Sequence, residues 1–169
     1  MLFWVAPDKT FKVNLSNPTN STFSTKTSAI GTILNDDTPI SLAVSDANAA
    51  ETKAGDIPNP GQFMITRGGD LNKSLSVKYT LSGKATNGIE YQSLNGTSLF
   101  AIGADKAFVD INPIDDKIYE GAETVTLSIS SDDYLITGAS SGTVTIADND
   151  SEQPKLVEPA NAGHHEIEC

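Results

Sequence analysis

Apolar and polar positions alternate in short runs along this chain, and Gly, Asn, Asp and Pro separate the runs. Phe11, Val13 and Leu15 alternate with Lys12 and Asn14, and Ile40, Leu42 and Val44 with Ser41 and Ala43. Phe63 and Ile65 share a run ended by Gly68-Gly69. Leu75, Val77, Tyr79 and Leu81 alternate with Ser76, Lys78 and Thr80. Phe108, Val109 and Ile111 form a run closed by Pro113, Val125, Leu127 and Ile129 form another, and Val144 and Ile146 close the set. A period of two marks strands that bury one face. No stretch keeps the i, i+3, i+4 spacing of a helix over three turns, so no helix is expected. Asp105-Lys106, with the Gly and Ala around it, reads as a hairpin loop. Regular strands with turn signals between them point to a β-sandwich or barrel.

Two segments recur. Thr10-Phe11-Lys12-Val13-Asn14-Leu15-Ser16 resembles Thr124-Val125-Thr126-Leu127-Ser128-Ile129-Ser130, and Gly31 to Asp37 resembles Val144 to Asp150. Aligning Phe11 with Val125 gives an offset of 114, and aligning Ile33 with Ile146 gives 113. Nearly equal offsets imply an internal repeat with one insertion. Residues 39–150 then form one whole unit. Residues 1–38 hold only the closing hairpin of a truncated preceding unit. Strands near residues 10–16 and 28–35 lack their partners and are expected to seek a sheet edge, on this domain or on another chain. Residues 151–169, with Pro154, Pro159 and no periodicity, read as a flexible tail.

Charge narrows the function. The 169 residues carry 22 acidic and 11 basic side chains, a formal net charge of -11. Nucleic-acid binding rests on Lys and Arg neutralising phosphates, and anionic membranes attract the same residues, so neither partner is expected. A single Cys excludes an internal disulfide framework or a Cys-rich zinc site. No apolar run is long enough to insert into a bilayer. The opening Met-Leu-Phe-Trp-Val-Ala-Pro lacks the basic start of a signal peptide, and Trp4 has no counterpart in the repeat.

The acids are clustered. Asp115 to Glu123 puts four carboxylates into nine residues between two strands. Asp148-Asn149-Asp150 follows the last strand, Glu51 follows the first strand of the unit, and Glu90 lies in the loop after Leu81. Loops at one end of a sandwich lie side by side, so these four places are expected to converge. Bunched carboxylates repel unless a cation bridges them, and hard oxygen ligands on irregular loops suit Ca²⁺ better than Mg²⁺. A solvated acidic cluster that only aids solubility is the plain alternative.

At these residues the sequence resembles the Calx-β domain family. The resemblance is carried by Lys78-Tyr79-Thr80 through Gly83 to Tyr91, by Ile114-Asp115-Asp116 with Tyr119-Glu120 and Glu123, and by Gly142 to Ile146 with Asp148-Asn149-Asp150. It covers residues 40–150, and residues 9–37 resemble the end of a second copy. It implies a seven-strand, immunoglobulin-like sandwich of two sheets that binds calcium at one tip. Carried onto this chain, the ligands are Glu51, Glu90, Asp115, Asp116, Glu120, Glu123, Asp148 and Asp150. Glu90 stands where the family usually has Asp, and Asn149 offers a neutral carbonyl where some members have a third Asp. The family also occurs in tandem arrays on surface proteins, which implies an extracellular or cell-surface setting with neighbouring repeats as partners.

The function expected is therefore a calcium-binding structural module of a surface or adhesion-type protein. A calcium-independent immunoglobulin-like module for protein or glycan partners is the alternative. Asp116 and Glu120 could be nominated as an acid–base pair. With no His in the repeat, no nucleophile elbow and no phosphate loop, no enzyme is expected. Tyr91 and Tyr119 are expected to plug the core rather than bind metal. Asp36 and Asp37 are read as belonging to the missing half of the first unit, with an ion site between repeats as the alternative. His164, His165 and Cys169 sit too loosely on the tail to hold a transition metal.

Overall fold

The computed structural model describes residues 7–22, 27–130 and 134–152. Trp4, most of the tail, and with them His164, His165 and Cys169, lie outside the described residues.

Period-two alternation becomes two packed sheets. In β5 (Gly61–Arg67) every second residue is buried, and Phe63 and Ile65 point into the core. β3 (Pro39–Asp46) adds Ile40 and Leu42, and β8 (Lys106–Ile111) adds Val109 and Ile111. With the short β10 (Leu135–Ile136) these form a four-stranded sheet ordered β10-β3-β5-β8. The facing sheet has five strands, ordered β4-β11-β9-β6-β7. They are β4 (Asn48–Ala50), β6 (Leu75–Gly83), β7 (Thr97–Phe100), β9 (Glu123–Ile129) and β11 (Ser141–Ala147). Val77, Phe100, Val125, Leu127, Val144 and Ile146 supply its half of the core. Each such side chain contributes about 1.5–3 kcal/mol when fully buried. The fold is all-β, as the alternation implies.

The first strand of the domain changes sheets. β3 pairs with β5, and after Ala47 the chain re-pairs as β4, parallel to β11. The break is held locally: the Asn48 N–H donates to Asp46 Oδ1 at 3.0 Å, and the Thr145 N–H donates to the Ala47 carbonyl at 2.9 Å. This switch brings the chain out of β4 directly beside the end of β11. Residue 51 is thereby set next to residues 148–150.

The loop read as a hairpin around Asp105-Lys106 is not one. β7 and β8 belong to different sheets, so residues 101–105 cross from one layer to the other, and Lys106 already begins β8. Arg67 fills the space beneath this crossing. Its guanidinium donates to the carbonyls of Ala104, Lys73, Ala101 and Leu71 and lies over the Phe100 ring, 5.2 Å from its centroid.

β1 (Lys9–Asn14) and β2 (Ser28–Ile33) form a separate two-stranded sheet. Its register repeats that of β9 and β11. Phe11 faces Gly31 where Val125 faces Val144, and Lys9 faces Ile33 where Glu123 faces Ile146. All six β1–β2 pairs map onto β9–β11 pairs once the offsets of 114 and 113 are applied. The environments are opposite. Val125 and Leu127 are fully buried, whereas their counterparts Phe11 and Val13 are half exposed, at 51% and 50%.

Candidate metal centre

Four chain segments meet at one end of the sandwich. β4 delivers Glu51, whose N–H donates to the Ala147 carbonyl at 3.0 Å. The turn after β6 delivers Glu90, held where its carbonyl accepts the Ile114 N–H at 2.9 Å. Tyr91 plugs the core beneath it, almost wholly buried. The loop between β8 and β9 carries Asp115, Asp116 and Glu120, with Glu123 at the start of β9. β11 runs straight into Asp148, Asn149 and Asp150.

Asp148 organises this end. Its Oδ2 accepts the N–H groups of Glu120 and Gly121 at 2.7 and 2.8 Å, and its Oδ1 accepts the N–H of Asp150 at 2.7 Å. These bonds, led by those from Asp150 and Glu120, hold its carboxyl below the usual carboxylate range. Gly121 adopts φ +70, a left-handed conformation that redirects the chain immediately after these two N–H groups, on its way into β9. Asn149 Nδ2 donates to Asp115 Oδ1 at 2.6 Å, and Asp116 Oδ1 accepts the Ile118 N–H at 2.7 Å.

Two groups of carboxylates result. Glu51, Asp148 and Asp150 bring one oxygen each within 4.8 Å of one another, and so do Glu90, Asp116 and Glu120. Asp115 and Asp116 also face Glu51, and Glu123 sits beside Glu120. All eight acids singled out in the sequence are thus at one tip.

Electrostatics reflect the crowding. Glu51 is only 8% exposed, and its carboxyl is pushed up to about 7. Burial is the main cause, followed by the charges of Asp148, Asp116, Asp115 and Asp150. Burial also raises Glu90, together with a hydrogen bond to Glu120 and the charges of Glu120, Glu123 and Asp116. Glu123 is raised by burial and by Glu120, with Lys84 opposing. Glu51 Oε2, Asn149 Oδ1 and Asp150 Oδ2 are buried acceptors without a hydrogen-bond partner among the described residues. An unmet buried acceptor costs roughly 1–3 kcal/mol, more when charged. Unmet acceptors on Glu51 and Asp150, whose carboxylates lie together where charge already repels, with the Asn149 carbonyl next in the chain, make a donor set fitted to a hard cation.

Tyr119 corrects one expectation. It is half exposed on the 115–122 loop and plugs nothing. Asp36 and Asp37 lie at the other end of the domain, lining a small cavity with Asp8, Gly69 and Asp70. The structure also gives roles that residue type alone does not show: the two backbone donors at Glu120 and Gly121, and the bond from the Asn149 amide to Asp115.

A two-sheet sandwich with acidic loops gathered at one tip is an arrangement suited to holding a cation. A sequence profile of the Calx-beta domain matches residues 35–150, so the chain belongs to the Calx-beta domain family. These domains are binding modules rather than enzymes, so Asp116 and Glu120 are not a catalytic pair. The fold is similar to the apo form of the Calx CBD1 domain, at 23% identity and a TM-score of 0.48, over 66% of this chain and 98% of that one. It is similar also to CBD12 from CALX1.2, at 21% identity and a TM-score of 0.49, and to the calcium binding domain CBD12 of CALX1.1, at 21% and 0.48. Those matches cover 66% and 64% of this chain, and 45% and 44% of the respective CBD12 chains. No curated protein matches the sequence.

Proposed function

We propose that this chain is a calcium-binding structural module, made of one complete Calx-beta unit preceded by the closing hairpin of another. The observation that carries the reading is Glu51: a carboxylate almost fully buried, with Oε2 unpartnered, facing four aspartates. Its charge is expensive unless a cation compensates it.

Glu51, Asp115, Asp116, Asp148 and Asp150, with the Asn149 carbonyl, would hold one ion. Glu90, Asp116, Glu120 and Glu123 offer a second set. A bound Ca²⁺ supplies the positive charge that lets these carboxylates ionise together, and it accepts six to eight oxygens in irregular geometry. The protein's part is positioning. Asp148 pins the 115–122 loop to the end of β11, and the β3-to-β4 switch holds Glu51 against both.

The hairpin supports a tandem arrangement, since β1 and β2 reproduce the pairing of β9 and β11. Its Asn35-Asp36-Asp37 then stands for Asp148-Asn149-Asp150 of the preceding unit, next to the loop at Gly69 of the following one. Neighbouring repeats are the partners this implies, and ion binding at such a tip stiffens the junction. The tandem arrays in which such repeats occur favour a surface or adhesion-type protein. No helix among the described residues is long and apolar enough to cross a membrane.

Calorimetric titration of the chelator-stripped protein with Ca²⁺ tests the reading. Saturable binding that disappears in Asp115→Ala/Asp116→Ala supports it. Absence of binding would leave a calcium-independent interaction module.

A further inference from the structure

The two sheets part along one side of the sandwich. β7 ends the five-stranded sheet and β8 ends the four-stranded one, and a cleft of about 460 Å³ lies between these edges. This volume is within the range of small-molecule sites. The cleft is a consequence of side-chain size. Ser98 on β7 and Ala107 on β8 point inward where the other strands carry Val, Leu, Ile or Phe, so the layers fail to close.

Its chemistry is distinct from that of the tip. Ser98 is 6% exposed, and its hydroxyl makes no hydrogen bond to another described residue. Around it stand Tyr79, the amides of Asn95 and Asn112, and the hydroxyls of Ser93 and Thr97. No Lys, Arg or His lines the cleft, so anions lack a counter-charge there. The single carboxylate, Asp110, already accepts the Gln62 amide at 2.8 Å, so the wall is no cation cage. Leu99 and Phe108, at outward-facing positions of β7 and β8, add exposed apolar surface at its rims, with Phe108 53% exposed.

Neutral donors and acceptors beside an aromatic and an aliphatic face are the complement of a neutral saccharide, whose hydroxyls need two-way hydrogen bonds and whose C–H faces need apolar contact. We propose that the β7–β8 cleft binds a neutral mono- or disaccharide unit, with Ser98 and Asn112 as its main contacts and Phe108 at its rim. This site is independent of the metal centre and of the calcium reading.

The test is an amide chemical-shift titration of the full chain with methyl glucoside, methyl galactoside, methyl mannoside, N-acetylglucosamine and cellobiose, to about 20 mM each, where millimolar affinity is measurable. The proposal expects at least one sugar to shift residues 93–99 and 107–112 saturably, with the same affinity in calcium and in chelator. Ser98→Ala keeps the cleft open and removes one hydroxyl, and should weaken binding about fivefold. Asn112→Ala, at the rim, is a second variant with the same expectation and little risk to folding. If no sugar produces a saturable shift, or if shifts fall only outside the cleft, the proposal is wrong. Response to an extended peptide but to no sugar would also overturn it, and would make the cleft a strand-acceptor edge.

Discussion

Asp148 accepts the backbone N–H of Glu120 at 2.7 Å, so the residue that follows the last strand holds the loop in which other acids sit. The acidic tip is therefore organised before any ion arrives. Replacing Asp148 with Ala should release the 115–122 loop. Hydrogen exchange at the amides of Glu120, Gly121 and Asp150 should accelerate in chelator, while exchange in β5 and β6 stays unchanged. Unaltered exchange at those three amides would mean that Asp148 does not position the loop.

Glu51 makes a prediction about pH. Its carboxyl is raised from 4.5 to about 7 in the folded protein. Between those values the folded state binds more protons than the unfolded state, so stability falls as pH rises. In chelator, the melting temperature should drop from pH 4.5 to pH 7 and level off above. Glu51→Gln should flatten that slope, leaving the part that Glu90 and Glu123 contribute, and melt a few degrees higher than the parent at pH 8. A parent whose stability rises across this window would contradict the assignment.

Phe11 and Val125 occupy the same place in two registers but differ in burial, and their substitutions should differ accordingly. Val125→Ala should destabilise the domain by about 2–4 kcal/mol. Phe11→Ser should change its stability by no more than about 0.5 kcal/mol, as for an exposed position. Phe11→Ser together with Val13→Ser should also reduce any self-association seen by light scattering, since these side chains form the hairpin's exposed apolar face. Denaturant melts of the two single variants decide the comparison.

Arg67 ties the end of the domain away from the acidic tip. Arg67→Met keeps the stem and removes the donors from four carbonyls, an expected loss of about 2–4 kcal/mol. Calcium affinity should stay within about twofold, because sites this far apart with no shared partners are nearly additive. A large change in affinity would show that the two ends are coupled.

Much of this was legible in the alternation. Val77 and Tyr79, or Val125 and Leu127, announce their strands because the buried face is uniformly apolar. β7 escapes this reading because Thr97–Phe100 is short and buries Ser98 where an apolar residue is expected. β4 escapes because three residues carry no period. The 101–105 crossing resembles a hairpin turn locally, and only the assignment of β7 and β8 to different layers shows otherwise. The register of the hairpin was implicit in the paired offsets, since two strands that shift together keep their pairing. At the tip, the acids could be named because resemblance to a family supplied their convergence. The Asn149 carbonyl could be named, but not its burial without a partner, and the Asp148 bonds could not be named at all, because they depend on the path of the 115–122 loop and on the sheet switch after Ala47. Tyr119 shows the limit of residue type: an aromatic beside acids is a core plug only if its loop turns inward.

The most direct test of the calcium reading is a thermal melt of the full chain at neutral pH, in millimolar Ca²⁺ and in chelator. At a hundredfold excess over Kd, binding stabilises the folded state by about 2.7 kcal/mol, which for a domain of this size is roughly 10 °C. The account predicts such a rise, and predicts that Asp115→Ala/Asp116→Ala abolishes it. Identical melts in calcium and chelator would contradict it.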